Sequence, residues 1–209
     1  MTAGLSGPPH DCRRCPRLCG LRDRLRTEQP DWHNAPVPSF GGADAELLIV
    51  GLAPGLQGAN RTGRPFTGDG AGEVLYPALL KFGFATGVYD ARPDDGLTLR
   101  RARITNAVRC VPPENKPVGA EVAACNPFLT SEIAALPNLR TILALGHIAH
   151  GAVLRALELK GIPFKHGAIA DAGRYRLADS YHCSRYNMNT RRLTVAMFDA
   201  VIEGIAAGA

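Results

Sequence analysis

Four short apolar runs, each followed by a stretch of helical spacing, predict an α/β fold of three layers, with a short, mostly parallel four-stranded sheet between helices. The runs are rich in Val, Ile and Leu and too brief for helices, which suits strands buried on both faces. No internal repeat, low-complexity tract or linker interrupts the pattern, so the 209 residues are expected to form one domain.

Residues 1–44 are irregular and rich in Pro, Arg, Asp and Gly, with a helical pattern only around Leu18 to Arg26. Glu46 to Gly51 is the first predicted strand, and Gly72 to Phe82 the first long helix, through Val74, Leu75, Ala78 and Leu79. Arg103 to Val108 is the second strand; a helix over Pro117 to Leu136 starts at one proline and stops before the next. Leu139 to Leu145 is the third strand, Gly146 to Leu159 a helix, and Tyr175 to Tyr181 the fourth strand. A closing helix over Arg191 to Ile205 carries Leu193, Val195, Ala196, Phe198, Val201 and Ile202. In folds of this class ligands bind beyond the carboxyl ends of the strands, so the loops after Val50, Val108, Leu145 and Tyr181 are where a site belongs.

Hydrophobic residues at 45% and charged residues at 21% describe a globular chain, not a fibrous or disordered one. Its longest apolar runs, Leu47 to Val50 and Thr141 to Leu145, are far too short to span a bilayer. Pro8, Pro9 and His10 stand where a secretory signal would need an apolar stretch, so a cytoplasmic location is expected. The formal net charge of +5 comes mainly from arginine, which favours planar and phosphate-bearing partners.

Six cysteines in a reducing compartment point to metal ligation before disulfides. Cys12 and Cys15 form a C-x2-C pair, and Cys110 and Cys125 lie after the second strand and inside the next helix. Four thiolates from three separated segments suit a [4Fe–4S] cluster or a structural zinc. Cys19 and Cys183 are left as buried core thiols. After the first strand, Gly51 to Gly55 and Gly58 to Asp69 form a glycine-rich loop in which backbone can approach a ligand closely, with Arg61 and Arg64 supplying charge. Neither P-loop nor dinucleotide-binding spacing is present.

The blocks GLAPGLQGANRTGRPFTGD, TNAVRCVPPENKP, ALGHIAH and YHCSRYNMNTRRLT, with a C-x14-C between, resemble the uracil-DNA glycosylase superfamily, most of all its iron–sulfur family 5, or B-type, members. They run in the family's order across residues 12 to 194. The resemblance implies the uracil-DNA glycosylase fold and hydrolysis of the N-glycosidic bond of uracil in DNA, with other deaminated bases such as hypoxanthine as further substrates. It implies a monofunctional enzyme that leaves an abasic site and takes no redox or nucleotide cofactor; a monomer is expected. Its cluster ligands map to Cys12, Cys15, Cys110 and Cys125, which favours [4Fe–4S] over zinc.

By the same resemblance, Phe66 stacks on the flipped base, Asn106 bonds its Watson–Crick edge, and Ala53 and Gly55 line the base pocket with backbone. His182 donates to O2 of the departing base, where charge develops. Ser184, Arg185, Tyr186 and Asn187, with Met188, form the segment that enters the minor groove, and Arg61, Arg191 and Arg192 meet phosphates. Two positions depart from other families: Cys183 replaces a proline after the histidine, and Ala53 replaces a water-orienting Asp or Asn. Asp69, with Asn60 as second candidate, is then the expected water-positioning group. Two other functions fit the same motifs: a uracil-DNA-binding protein without turnover, and an iron–sulfur electron carrier or regulator.

Overall fold

The computed structural model describes residues 7–208. Helix α1 (Pro16–Glu28) opens with Pro16, whose fixed φ suits a first turn, and buries Leu18, Cys19, Arg22 and Leu25. Strand β1 (Leu47–Gly51) follows, then the short α2 (Ala59–Thr62), α3 (Gly72–Lys81) and a two-residue hairpin of β2 (Ala85–Thr86) and β3 (Thr98–Leu99). Strand β4 (Ala102–Asn106) leads to α4 (Gly119–Ala135), β5 (Thr141–Leu145) and α5 (His147–Ala156). The chain closes with β6 (Ile169–Ala172), β7 (Tyr175–Ser180), α6 (Arg185–Asn189) and α7 (Val195–Ala207).

The central sheet has the order β4-β1-β5-β7-β6. Its first four strands are parallel, and β6 pairs antiparallel with β7 at the edge. Alternation along β1 divides the core: Leu47 and Ile49 pack against Leu75 and Leu79 of α3 and Phe198 and Ile202 of α7, while Leu48 and Val50 meet Leu129 and Ile133 of α4 and Val153 of α5. A buried charge cluster ties α4 to the sheet. Arg103 Nε donates to one oxygen of Glu132 at 2.6 Å and Arg109 to the other at 2.5 Å.

Three expectations are corrected. The sheet has five strands, not four: β6 is a short, half-exposed edge strand of two alanines, Asp171 and an exposed Ile169, joined to β7 at Gly173 (φ 75°), where Asp171 accepts from the Gly173 N–H at 2.8 Å. Such an edge carries little of the apolar signal that marks a buried strand. The closing helix begins at Val195, because the Thr194 hydroxyl caps it by accepting from Met197 N–H at 3.2 Å and Arg191 sits at φ 57° outside it. Helix α4 starts at Gly119, where the Glu121 carboxylate accepts from Val118 N–H at 2.9 Å, so Pro117 lies before the first turn.

Candidate active site

The carboxyl ends of β1, β5 and β7 open onto one cleft of about 730 Å³. Leu52 to Gly58 form one wall, Leu145 to Ile148 the floor, and Tyr181 to Asn187 the far side. The glycine-rich loop folds back over it, bringing Gly68 to Ala71 to the rim. No helix among the described residues is long and apolar enough to cross a membrane.

At the base of the cleft, Ala53, Gly55, Phe66, Asp69, Asn106 and His182 line one small inner cavity. These residues come from three strand ends and the glycine-rich loop. The Phe66 ring lies 5.9 Å from that of His182 at an interplanar angle of 25°. Phe66 holds a left-handed backbone (φ 53°), a conformation that costs free energy in a bulky residue and that surrounding contacts must impose. Gly51 makes the packing possible: a Cβ there would lie 2.3 Å from the Asn106 side-chain oxygen and 2.6 Å from Phe66 Cζ. The main chain of β1 thus touches both side chains directly.

Burial pushes the His182 imidazole down to about 4, so the ring is neutral at physiological pH. Its Nδ1 is buried without a partner among the described residues. The His182 carbonyl accepts from the Asn187 amide at 2.8 Å, fixing the turn behind the ring. Burial raises the Asp69 carboxyl, opposed by the N–H groups of Ala71 and Gly72 and by the positive charge of Arg185. A low-polarity chamber therefore holds one neutral hydrogen-bonding ring, one carboxyl group, one amide and one aromatic face.

The other expected residues divide. Ser184, Arg185, Tyr186 and Asn187 line the mouth of the cleft, on a short helix capped by the Ser184 hydroxyl, and Tyr186 is 73% exposed. Asn60 is not brought to the cavity; it is buried with its amide donating to Asn34 Oδ1 at 2.9 Å. Arg61 faces a separate groove with Trp32, His33 and Arg92. Arg64 is buried in a two-pronged pair with Asp95 at 2.8 and 2.7 Å, so it supplies no free charge to a ligand. Arg191 stays outside the cleft while Arg192 lines it, its guanidinium 4.7 Å over the Tyr181 ring. Cys183 is an inert core thiol: burial pushes it up to about 12 and its sulfur donates to Ala71 O at 3.5 Å.

Sequence reasoning assigned no role to Gln57, Asn115, His147, Ile148 or Tyr181, all of which line the cleft. His147 stands in the quoted ALGHIAH block directly after the third strand, the one signal that pointed to it.

The cysteines gather on the other side of the β4 end. Cys12, Cys15, Cys110 and Cys125, with Cys19, line one small cavity closed by Leu18 and Phe128. Burial raises the Cys110 thiol to about 12 and the Cys15 thiol to about 11, each reinforced by neighbouring cysteines. Arg22 is buried against them, one nitrogen 3.8 Å from Cys110 Sγ, and its Nε has no hydrogen-bond partner among the described residues, lying 3.9 Å from Asp23 Oδ1. No group of three or more His, Cys, Asp or Glu among the described residues is gathered so as to hold a metal ion.

The family model described as the uracil DNA glycosylase superfamily matches residues 38–206. A Type-5 uracil-DNA glycosylase of Pyrobaculum aerophilum is 41% identical over 203 residues, covering 95% of this chain and 89% of the relative. Another of the same name from Thermus thermophilus is 45% identical over 201 residues, 91% and 90% of the two chains. A third, from Mycobacterium bovis, is 43% identical over 202 residues, 91% and 75%.

Proposed function

The chain belongs to the uracil DNA glycosylase superfamily and excises uracil from DNA in base-excision repair, and from that premise we propose how its residues carry out the reaction. The observation that carries the proposal is the shared lining of one cavity by Phe66, Asn106, Asp69 and His182. A uracil extruded from the duplex loses its stacking and pairing partners. Phe66 supplies a new stacking face and the Asn106 amide meets the Watson–Crick edge, while Ala53 and Gly55 bring backbone against the base.

As the bond from C1′ to N1 breaks, the electron pair leaves with the base and negative charge collects on O2. His182, neutral at working pH, donates a hydrogen bond there without first surrendering a proton. The sugar becomes an oxocarbenium-like cation facing Asp69, whose carboxylate stabilises it and orients the water that adds to C1′. With Asn60 held by Asn34, Asp69 takes that role by itself. No lysine lines the cleft among the described residues, which supports a monofunctional hydrolase that leaves an abasic site. Ala53 leaves the pocket without a discriminating side chain, which supports action on hypoxanthine as well.

Arg185, Tyr186 and Asn187 on α6 would meet the minor groove, with Tyr186 as the wedge filling the vacated stack, and Arg192 would meet phosphate in place of Arg191. We propose that Cys12, Cys15, Cys110 and Cys125 would hold a [4Fe–4S] cluster: they line one cavity beside buried Arg22, a cation suited to an anionic cluster, whose Nε has no hydrogen-bond partner among the described residues. Holding a cluster jointly, these four cysteines would tie α1 and the N-terminal segment to the β4 end and α4. We further infer a single domain, acting as a cytoplasmic monomer. Incubation with a uracil-containing oligonucleotide followed by alkali should cut the strand at the uracil; an intact strand at enzyme excess would refute the catalytic reading, and a stable complex without cleavage would favour a binding protein.

A further inference from the structure

The wall of the cleft at the ends of β5 and β7 is backed by residues 162–168. The Phe164 ring lies 4.1 Å from that of His147 and 6.0 Å from that of Tyr181. His166 stacks on Tyr181 at 4.8 Å and 5°, and its Nδ1 accepts from the Tyr181 N–H at 3.2 Å. The position of this segment therefore sets His147 and Tyr181, the latter adjacent to His182 in the chain.

A buried pair behind the wall anchors the segment. His150 on α5 has Nδ1 2.8 Å from Asp179 Oδ1 and Nε2 2.9 Å from the Ile162 carbonyl oxygen. Asp179 Oδ2 accepts from the Lys165 N–H at 3.2 Å. Both side chains are at least nine-tenths buried. A carbonyl oxygen only accepts, and so does an ionised carboxylate. A neutral imidazole has a single N–H and cannot satisfy two acceptors. The pair must hold one proton more than an imidazole and a carboxylate, as imidazolium with carboxylate or as imidazole with carboxylic acid; in either form Nε2 carries the hydrogen that Ile162 accepts.

We propose that His150 and Asp179 are a positioning pair for uracil excision, whose shared proton ties residues 162–168 to α5 and β7 and so fixes the cleft wall of His147 and Tyr181 beside His182. This rests on the excision reading and adds residues that touch neither base nor sugar. Removal of the shared proton leaves a bare Nε2 facing the Ile162 oxygen, two lone pairs with nothing between them, and the segment is released. Of the other titratable groups, His147 on the same helix acts on Asp179 through its charge, Lys165 reaches Asp179 through its backbone N–H, and His166 on the segment is turned to Tyr181.

Asp179→Asn separates this proposal from a simple packing role. Asparagine can accept from Lys165 N–H and donate to His150 Nδ1, leaving Nε2–H for Ile162 with no extra proton required. Loss of the shared proton should make single-turnover uracil release by the parent protein decline at alkaline pH, whereas D179N should stay within about threefold of the parent at neutral pH, one satisfied network replacing another, and show no such decline. His150→Leu, which removes the tether, should lower the rate on the order of tenfold to 10²-fold while leaving affinity for abasic DNA unchanged. Nitrogen NMR of the histidine rings in the unmodified protein should find Nε2 of His150 protonated at pH 7, independently of any activity. A bare Nε2, or a D179N profile with the parent's alkaline limb, overturns the pair; lack of uracil release by the parent protein overturns the excision reading instead.

Discussion

His182 acts in this account through a hydrogen bond that must exist before the glycosidic bond breaks, which is why its neutrality matters more than its basicity. Removing it by His182→Ala should slow single-turnover uracil release on the order of 10²–10³-fold, the effect of losing one preorganised donor; a change of threefold or less would remove it from the chemistry. Because its folded-state pKa of about 4 lies below the ordinary histidine value of 6.5, the unfolded chain binds the extra proton first as pH falls. Stability contributed at this position is thus present above pH 6.5 and lost as pH falls toward 4, and H182A should flatten the thermal-stability profile across that window. That Phe66, Asn106 and His182 would line one cavity was legible from the quoted motifs, Asn106 closing a strand, His182 following one and Phe66 lying in the glycine-rich loop. Asn60 and Arg64 were not, because their partners Asn34 and Asp95 lie 26 and 31 residues away and only the folded loop brings them together.

At the scale of elements, the four parallel strands and the helices between them follow from apolar runs of the right length. Strand β6 escaped notice because an exposed edge needs no apolar face, and α6 separated from α7 because Ser184 and Thr194 each cap a helix within ten residues of one another. The register of β4 against α4 depends on Glu132, which lies between Arg103 and Arg109. Burial pushes its carboxyl upward, but the two guanidinium groups prevail and hold it below the usual value. Glu132→Ala should cost about 3–5 kcal/mol by leaving two buried cations unpaired. In a chain of this size that is roughly 10 °C or more in melting temperature, read by calorimetry. A shift of one or two degrees would mean that water replaces the carboxylate. Since the folded pKa is depressed, this stabilisation is lost as pH falls through the carboxylate range.

Across the whole molecule, the strand β4 joins two sites: Asn106 ends it at the base cavity, and Cys110 follows four residues later at the cysteine cavity. The gathering of Cys12, Cys15, Cys110 and Cys125 at one cavity was legible as a set, whereas Arg22, buried beside them, was not, because an arginine in a helix reads as surface until its neighbours are known. Cys110→Ser should abolish absorbance near 400 nm in anaerobically purified protein and lower its melting temperature, whereas unchanged absorbance would exclude Cys110 as a ligand. The central claim is that one extruded base is held jointly by Phe66, Asn106 and His182, and the most direct test is a crystal structure with duplex DNA carrying a non-hydrolysable 2′-fluoro-deoxyuridine. Uracil should lie stacked on Phe66, with its edge on the Asn106 amide and its O2 within hydrogen-bond reach of His182; uracil bound elsewhere, or still paired in the duplex, would refute the joint grip of these three residues.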